Sequence, residues 1–251
     1  MIKYDFHIHT EYSYDSRIKG NEMMDRALEL GYDELAITEH VDLLPQELSV
    51  FGLPSLKKYQ AYVNKLREQY PSITLHCGIE LGDYHLVNDF ATGLICGFDF
   101  FPILGSVHFL TDHTNVAIPF PSPLSKSQIL DYYENNLRLV SECDIDVLAH
   151  LGVYKRYYNN VPDESFATSL IKDIFAVMID KGIALELNFS GLFKPYASVI
   201  PEPHFIELYR GMGGRLFSLG SDTHRLENFG STLLGSGLIG DHLYPTNHRH
   251  P

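Results

Sequence analysis

The chain has 251 residues, 45% of them hydrophobic, enough to bury the core of one α/β barrel or sandwich; no linker or repeat divides it, so a single domain over 1–251 is expected. A formal charge of −13 weighs against a broad nucleic-acid footprint, and three scattered cysteines, Cys77, Cys96 and Cys143, exclude a disulfide framework or a thiolate zinc module. No apolar stretch approaches the roughly 20 residues of a membrane span and no basic-then-apolar leader opens the chain, so a cytoplasmic protein is expected.

The first predicted strand, residues 2–9, ends in Asp5-Phe-His-Ile-His9. Residues two apart on a strand share a face, so His7 and His9 converge. A helix over 21–30 follows, with Asn21 as its start signal and Gly31 as its stop. A strand over 33–38 leads into Thr38-Glu39-His40, and a helix over 55–70 precedes a strand over 73–80 that ends in Glu80. The strand over 99–107 delivers His108. Leu130, Tyr133, Leu137 and Val140 set a helical period over 125–142, opened by Ser125 with Gln128 three residues on, and the strand over 145–150 ends in His150. A helix over 163–181, stopped by Gly182, precedes a strand over 183–189. A helix over 203–211 precedes the last strand, 215–221, which leads to Asp222 and His224.

Alternating strands and helices imply a parallel sheet. The continuous apolar character of residues 183–189, and the absence of a glycine-rich phosphate loop after the first strand, favour a closed barrel over an open doubly wound sheet. Six of the seven strands then end in an imidazole or carboxylate, a recurrence that packing does not explain because such groups are costly to bury alone. Imidazole and carboxylate donors without thiolate suit Zn, Mn or Fe, and they outnumber the roughly three protein ligands of a single catalytic zinc. Three divalent ions (about +6) against Glu80, Asp222 and Asp15 (about −3) would leave a pocket that attracts phosphate. Arg156, Lys194 and Arg225 are the nearest basic candidates to grip its oxygens. Glu39 and Asp5 could orient imidazoles from behind. His76, His85, His113, His204 and His242 read as ordinary core or surface residues, and Asn247-His-Arg-His250 as a disordered end instead of a metal tract.

The ordered set Asp5-Phe-His-Ile-His-Thr10, Thr38-Glu-His40, Gly78-Ile-Glu80, Gly105-Ser-Val-His108, Ala149-His150 and Ser221-Asp-Thr-His224 resembles the polymerase-and-histidinol-phosphatase (PHP) superfamily. Gly105-Ser-Val-His-Phe109 and Leu187-Asn-Phe-Ser-Gly-Leu192 look most like its monofunctional histidinol phosphatases. The resemblance implies a distorted seven-stranded (β/α)7 TIM-like barrel with three divalent ions. His7, His9, Glu80 and Asp222 would surround the first, Glu80 would bridge to a second held by His108 and His150, and Asp15, His40 and His224 would hold the third, with Asp15 standing where some relatives have His. Glu80, Asp222 and His224 would carry the catalytic step through these ions. The implied reaction is in-line attack of a metal-bridging hydroxide on a small phosphomonoester, L-histidinol phosphate in particular, without a covalent intermediate.

Three other functions fit part of the pattern. A phosphodiesterase or nuclease of the same superfamily could use the same ions, but the −13 charge disfavours long polyanions, so neither a nucleic-acid nor a membrane partner is expected. A non-catalytic metal-binding protein would show closed sites. Amide hydrolysis on a similar barrel normally needs a bridging Lys, and no Lys ends a predicted inner strand.

Overall fold

A computed structural model describes residues 2–119 and 122–235; His242 and the Asn247–His250 tract lie outside the described residues. Seven parallel strands run in sequence order around one sheet: β1 (Tyr4–Ile8), β2 (Glu34–Asp42), β3 (Thr74–Gly82), β4 (Ile103–Ser106), β5 (Val147–Leu148), β6 (Ala184–Asn188) and β7 (Phe217–Gly220). The sheet closes on itself just beyond the strand ends. There the N–H of Asp222 donates to the His7 carbonyl at 2.8 Å and that of His9 to the Thr223 carbonyl at 3.1 Å. The Asp5 carboxylate adds a side-chain tie, accepting from the Ser221 N–H at 3.0 Å. The fold is the distorted (β/α)7 barrel that the family resemblance implies, built on the parallel sheet expected from the alternation.

The helices are α1 (Gly20–Leu30), α2 (Pro45–Phe51), α3 (Leu56–Gln69), α4 (Asn88–Ile95), α5 (Lys126–Glu142), α6 (Thr168–Lys181) and α7 (Pro203–Gly211). Three predicted boundaries are formed as the residues indicate. Ser125 and Gln128 make the reciprocal capping box of α5, and Gly31 and Gly182 adopt the left-handed conformation that ends α1 and α6. Asn21 is not a cap: α1 begins at Gly20, whose N–H is satisfied by the Tyr62 hydroxyl at 2.8 Å and by Glu11 at 3.1 Å. α2 and α4, of 7 and 8 residues, carry too few turns for a clear sequence period.

The register shows what lies inside the barrel. His40 pairs with Glu80, Glu80 with Leu104, Leu104 with Val147 and Val147 with Ala184, and paired residues of a parallel sheet point the same way. Leu104, Val147, Ala149 and Ala184 form a small apolar cluster of their own, a dry floor beneath the imidazoles. The main core, including Phe6, Ile8, Leu35, Ile37, Ile171, Phe175 and Phe217, lies between sheet and helices.

Candidate metal centre

Four strands reach further or stop sooner than their apolar runs suggest. β2 and β3 continue two residues past His40 and Glu80, so both side chains sit within paired strand, and Asp42 and Gly82 come to the rim. After β5 and β7 the chain turns left-handed at His150 (φ 28°) and Asp222 (φ 51°), which swings each side chain back over the barrel mouth.

His7 and His9 converge as the strand period requires, with Nε2 atoms 3.1 Å apart. The other ring nitrogen of each is held from behind. His7 Nδ1 lies 2.6 Å from Oε1 of Glu186, and a carboxylate only accepts, so the proton is on Nδ1 and the Nε2 lone pair faces the site. His9 Nδ1 lies 3.1 Å from Ser13 Oγ, whose own hydrogen goes to Glu39 at 2.5 Å, so His9 likewise presents a bare Nε2. Two lone pairs at that separation repel unless a cation lies between or beside them.

Glu80 is the hub. Its Oε1 lies 2.8 Å from His150 Nε2 and 3.5 Å from His108 Nε2, while its Oε2 lies 3.3 Å from His7 Nε2, 3.5 Å from His9 Nε2 and 3.1 Å from His40 Nδ1. Asp222 Oδ1 is 3.7 Å from both His7 and His9. At the outer edge, His40 and His224 face each other with Nε2 atoms 3.3 Å apart, and Asp15 approaches them at 3.6 and 3.2 Å. Four triads have ligand atoms close enough to share an ion: His7, His9, Glu80; His7, His150, Asp222; Glu80, His108, His150; and His9, His40, His224. The geometry thus brings together all nine residues expected as ligands.

The donor set fits divalent ions on a separate ground. Glu80 Oε2 is buried without a hydrogen-bond partner, as are His40 Nδ1 and His150 Nδ1, in a protein whose buried polar atoms are otherwise largely satisfied. The ion-free electrostatics show the same tension. Burial opposes charge on His7, yet Glu186, Glu80 and Asp222 hold its pKa well above the imidazole range. Burial, with the neighbouring rings of His224, His40 and His7, presses that of His9 well below it. Burial also opposes ionisation of Glu80 and Asp222, but His7 and His40 around the first, and His7 and Arg156 around the second, keep both carboxyls well below their usual range. Against its burial, Asp42 and Glu80 lift His108 to about 10.

Arg156 sits on a 3₁₀ turn, Val153–Tyr157, that follows β5. It donates to Asp222 Oδ2 at 2.8 Å, Ser190 Oγ at 3.0 Å and the Ala117 carbonyl at 2.8 Å. Its neighbour Lys155 points the opposite way and is fully buried, with Nζ 2.6 Å from Glu164 and 2.7 Å from Glu202 and 3.1 Å from the Tyr133 hydroxyl. Arg156, Lys194 and Arg225 all line a cavity of about 270 Å³ that shares Asp222 and His224 with a second cavity of about 200 Å³ over Glu80. Arg225 is the weakest placed of the three: its side chain is 76% exposed and lies 3.8 Å from Glu227.

Several residues here carry no sequence expectation. Glu186 is the most consequential, accepting from the His150 N–H at 2.5 Å as well as facing His7. Its signal is a lone carboxylate in the apolar run of residues 183–189. Gly220 makes room for it, since a Cβ there would lie 2.0 Å from Glu186 Oε1. Asp42, Glu47 and Asp83 form an acidic wall on the β2–β4 side, near His108. Glu39 proves to be buried and acts through Ser13, while Asp5 serves strand closure and meets no imidazole.

A closed parallel barrel whose mouth gathers six imidazoles around one central carboxylate, Glu80, defines a multinuclear metal-site protein of the α/β barrel class. The PHP domain family matches residues 5–190, and the chain belongs to that family. Among curated proteins it is 26% identical over 240 residues to one of Clostridium acetobutylicum named "Probable histidinol-phosphatase", covering 90% of this chain and 88% of that one. It is 26% identical over 242 residues to the histidinol-phosphatase of Lactococcus lactis, covering 89% and 85%. Its fold matches the crystal structure of the Lactococcus lactis histidinol phosphate phosphatase complexed with Zn, L-histidinol and phosphate, with a TM-score of 0.79, 21% identity and coverage of 97% of this chain and 95% of the other.

Proposed function

We propose that this chain is a metal-dependent phosphomonoesterase that hydrolyses L-histidinol phosphate to L-histidinol and phosphate, a step of histidine biosynthesis. The observation that carries this reading is the Glu80-centred cluster opening directly into a cavity lined by Arg156, Lys194 and Arg225. Relatives covering about nine-tenths of the chain carry the same activity in their names.

His7, His9, Glu80 and Asp222 would hold one ion; Glu80 with His108 and His150 a second; Asp15, His40 and His224 a third. Zn, Mn and Fe all suit this donor set. Bound there, divalent ions supply a hydroxide at neutral pH and neutralise charge on the phosphoryl oxygens. Glu186 and the Ser13–Glu39 pair keep the Nε2 atoms of His7 and His9 deprotonated and aimed inward. Glu80 keeps two groups of imidazoles in fixed relation, and Asp222 and His224 would hold ions on the side of the site that faces Arg156. Arg156, fixed by Ser190 and the Ala117 carbonyl, offers a planar fork to the phosphate, and Lys194 adds a point charge at the rim. Cavities of about 200 and 270 Å³ suit a small ester better than a polymer. No helix among the described residues is long and apolar enough to cross a membrane. With three free cysteines, this supports a cytoplasmic location.

The test is phosphate release from L-histidinol phosphate against a panel of sugar and nucleotide phosphates, with metal content quantified before and after chelation. Preference for L-histidinol phosphate by orders of magnitude, lost on chelation and restored by added ion, is expected. Equal turnover of the panel removes the substrate; a metal-loaded protein inert on every ester removes the activity.

A further inference from the structure

The mouth of the barrel is electrically divided. Arg156, Lys194 and Arg225 lie on the side built by β5 to β7, whereas Asp42, at the end of β2, Glu47, on α2, and Asp83, after β3, lie on the other. Two of these three carboxylates have work within the protein. Asp42 Oδ2 accepts from the Tyr14 hydroxyl at 3.2 Å and faces His40 Nδ1 at 3.7 Å, and its Oδ1 faces His108 Nδ1 at 3.8 Å. Asp83 Oδ1 accepts from the N–H groups of His108 and Phe109 at 3.1 and 3.2 Å.

Glu47 differs in lining the cavity that contains Glu80, His108 and Arg156, which the other two do not. It is 6% exposed, its Oε2, like Asp42 Oδ1 and Asp83 Oδ2, is buried without a hydrogen-bond partner, and among the described residues no cationic side chain lies within ion-pair distance of it. A buried carboxylate with an unused oxygen is costly to maintain, and beside two further carboxylates it is more so. A cation arriving from the cavity would relieve that cost, and an unpaired carboxylate oxygen suits a hydrogen-bonding ammonium.

We propose that Glu47 recognises the organic ammonium of the substrate, so that the pocket reads an amino-alcohol phosphate at two ends: phosphate at the metals and Arg156, amine at the acidic wall. This assignment rests on the phosphatase reading above and names its specificity-determining residue. It explains how a site built for phosphate could reject ordinary sugar and nucleotide esters, which have no alkylammonium to offer the wall and would leave Glu47 unpaired.

The experiment compares kcat/KM for L-histidinol phosphate and for its analogue lacking the amine, 3-(imidazol-4-yl)propyl phosphate, in wild type and Glu47→Gln, with metal content measured in both. Wild type should favour the amine ester, and Glu47→Gln should shrink that preference by about ten- to hundred-fold, the range of a charge-assisted hydrogen bond. An unchanged preference overturns the assignment while leaving the phosphatase reading intact. Loss of metal in Glu47→Gln also overturns it, by making Glu47 part of the metal site. If wild type hydrolyses neither ester the phosphatase reading fails, and calorimetric binding of L-histidinol then decides: weakening of at least about ten-fold in Glu47→Gln sustains the ammonium subsite, and equal binding removes it.

Discussion

Two clusters of buried charge lie close together in this barrel, one around Lys155 and one around Glu80, and they are partnered in opposite ways. Lys155 is enclosed by Glu164, Glu202 and Tyr133, with the Phe205 ring 4.8 Å from its Nζ, so the protein supplies both signs of charge itself. Around Glu80 the neighbours are imidazoles, two of which, His7 and His9, have their outward nitrogens tied to Glu186 and Ser13, leaving lone pairs and carboxylate oxygens pointed at one another. Charge that is complete without a ligand is architecture; charge that is complete only with a cation is a site. The chain places the two back to back, since Lys155 anchors the turn from which Arg156 reaches Asp222.

Substitutions can break this contrast. The largest effect is expected from Glu80→Gln, which removes the carboxylate common to both imidazole groups. Phosphate release and metal content should fall by more than about 100-fold, beyond the usual cost of losing a partner behind a ligand, with the ion-free fold retained by circular dichroism. Wild-type turnover would refute the bridging role. Lys155→Met should lower unfolding free energy by about 3–5 kcal/mol in urea titrations, because two buried carboxylates lose their cation, while metal bound per folded molecule is preserved. Metal loss there would show that the clusters are not independent. Glu186→Gln sharpens the comparison: an amide can donate to His7 Nδ1 and move the proton to Nε2, so metal affinity should drop about 10–100-fold with little change in stability. The smallest effects belong to the rim. Lys194→Ala should raise KM about three- to ten-fold at constant metal content. Arg225→Ala, at an exposed position, should change KM by no more than about two-fold; steady-state kinetics checks both.

The same contrast explains what could be read from the sequence. His7, His9, His40, Glu80, His108, His150, Asp222 and His224 are legible because each interrupts or ends an apolar run, and strand periodicity aims them to one edge. Alternation of strand and helix likewise yields the barrel. Glu186 escapes because it lies in mid-strand, where its role depends on His7 and His150, residues 179 and 36 positions away. Glu47 escapes because α2 is a 7-residue helix, too short to show which face it buries. Lys155 and Arg156 are adjacent in the chain and opposite in use, a distinction set by partners distant in sequence, Glu202 for the first and Asp222 for the second.

The seam between β1 and β7 bears on how the molecule is made. Asp5 and Ser221, hydrogen-bonded across it, are 216 positions apart, and His7 and Asp222 flank the same join. During synthesis a nascent chain that has emerged only as far as β6 has most of its imidazoles but neither Asp222 nor His224, and its barrel has two raw edges. An ion captured once the last strand arrives would staple the ends of the chain together, offsetting the entropy of closing so long a loop. Refolding from urea should therefore be faster or more complete with divalent ion present than after chelation, and identical recovery in the two conditions would show that the seam closes unaided.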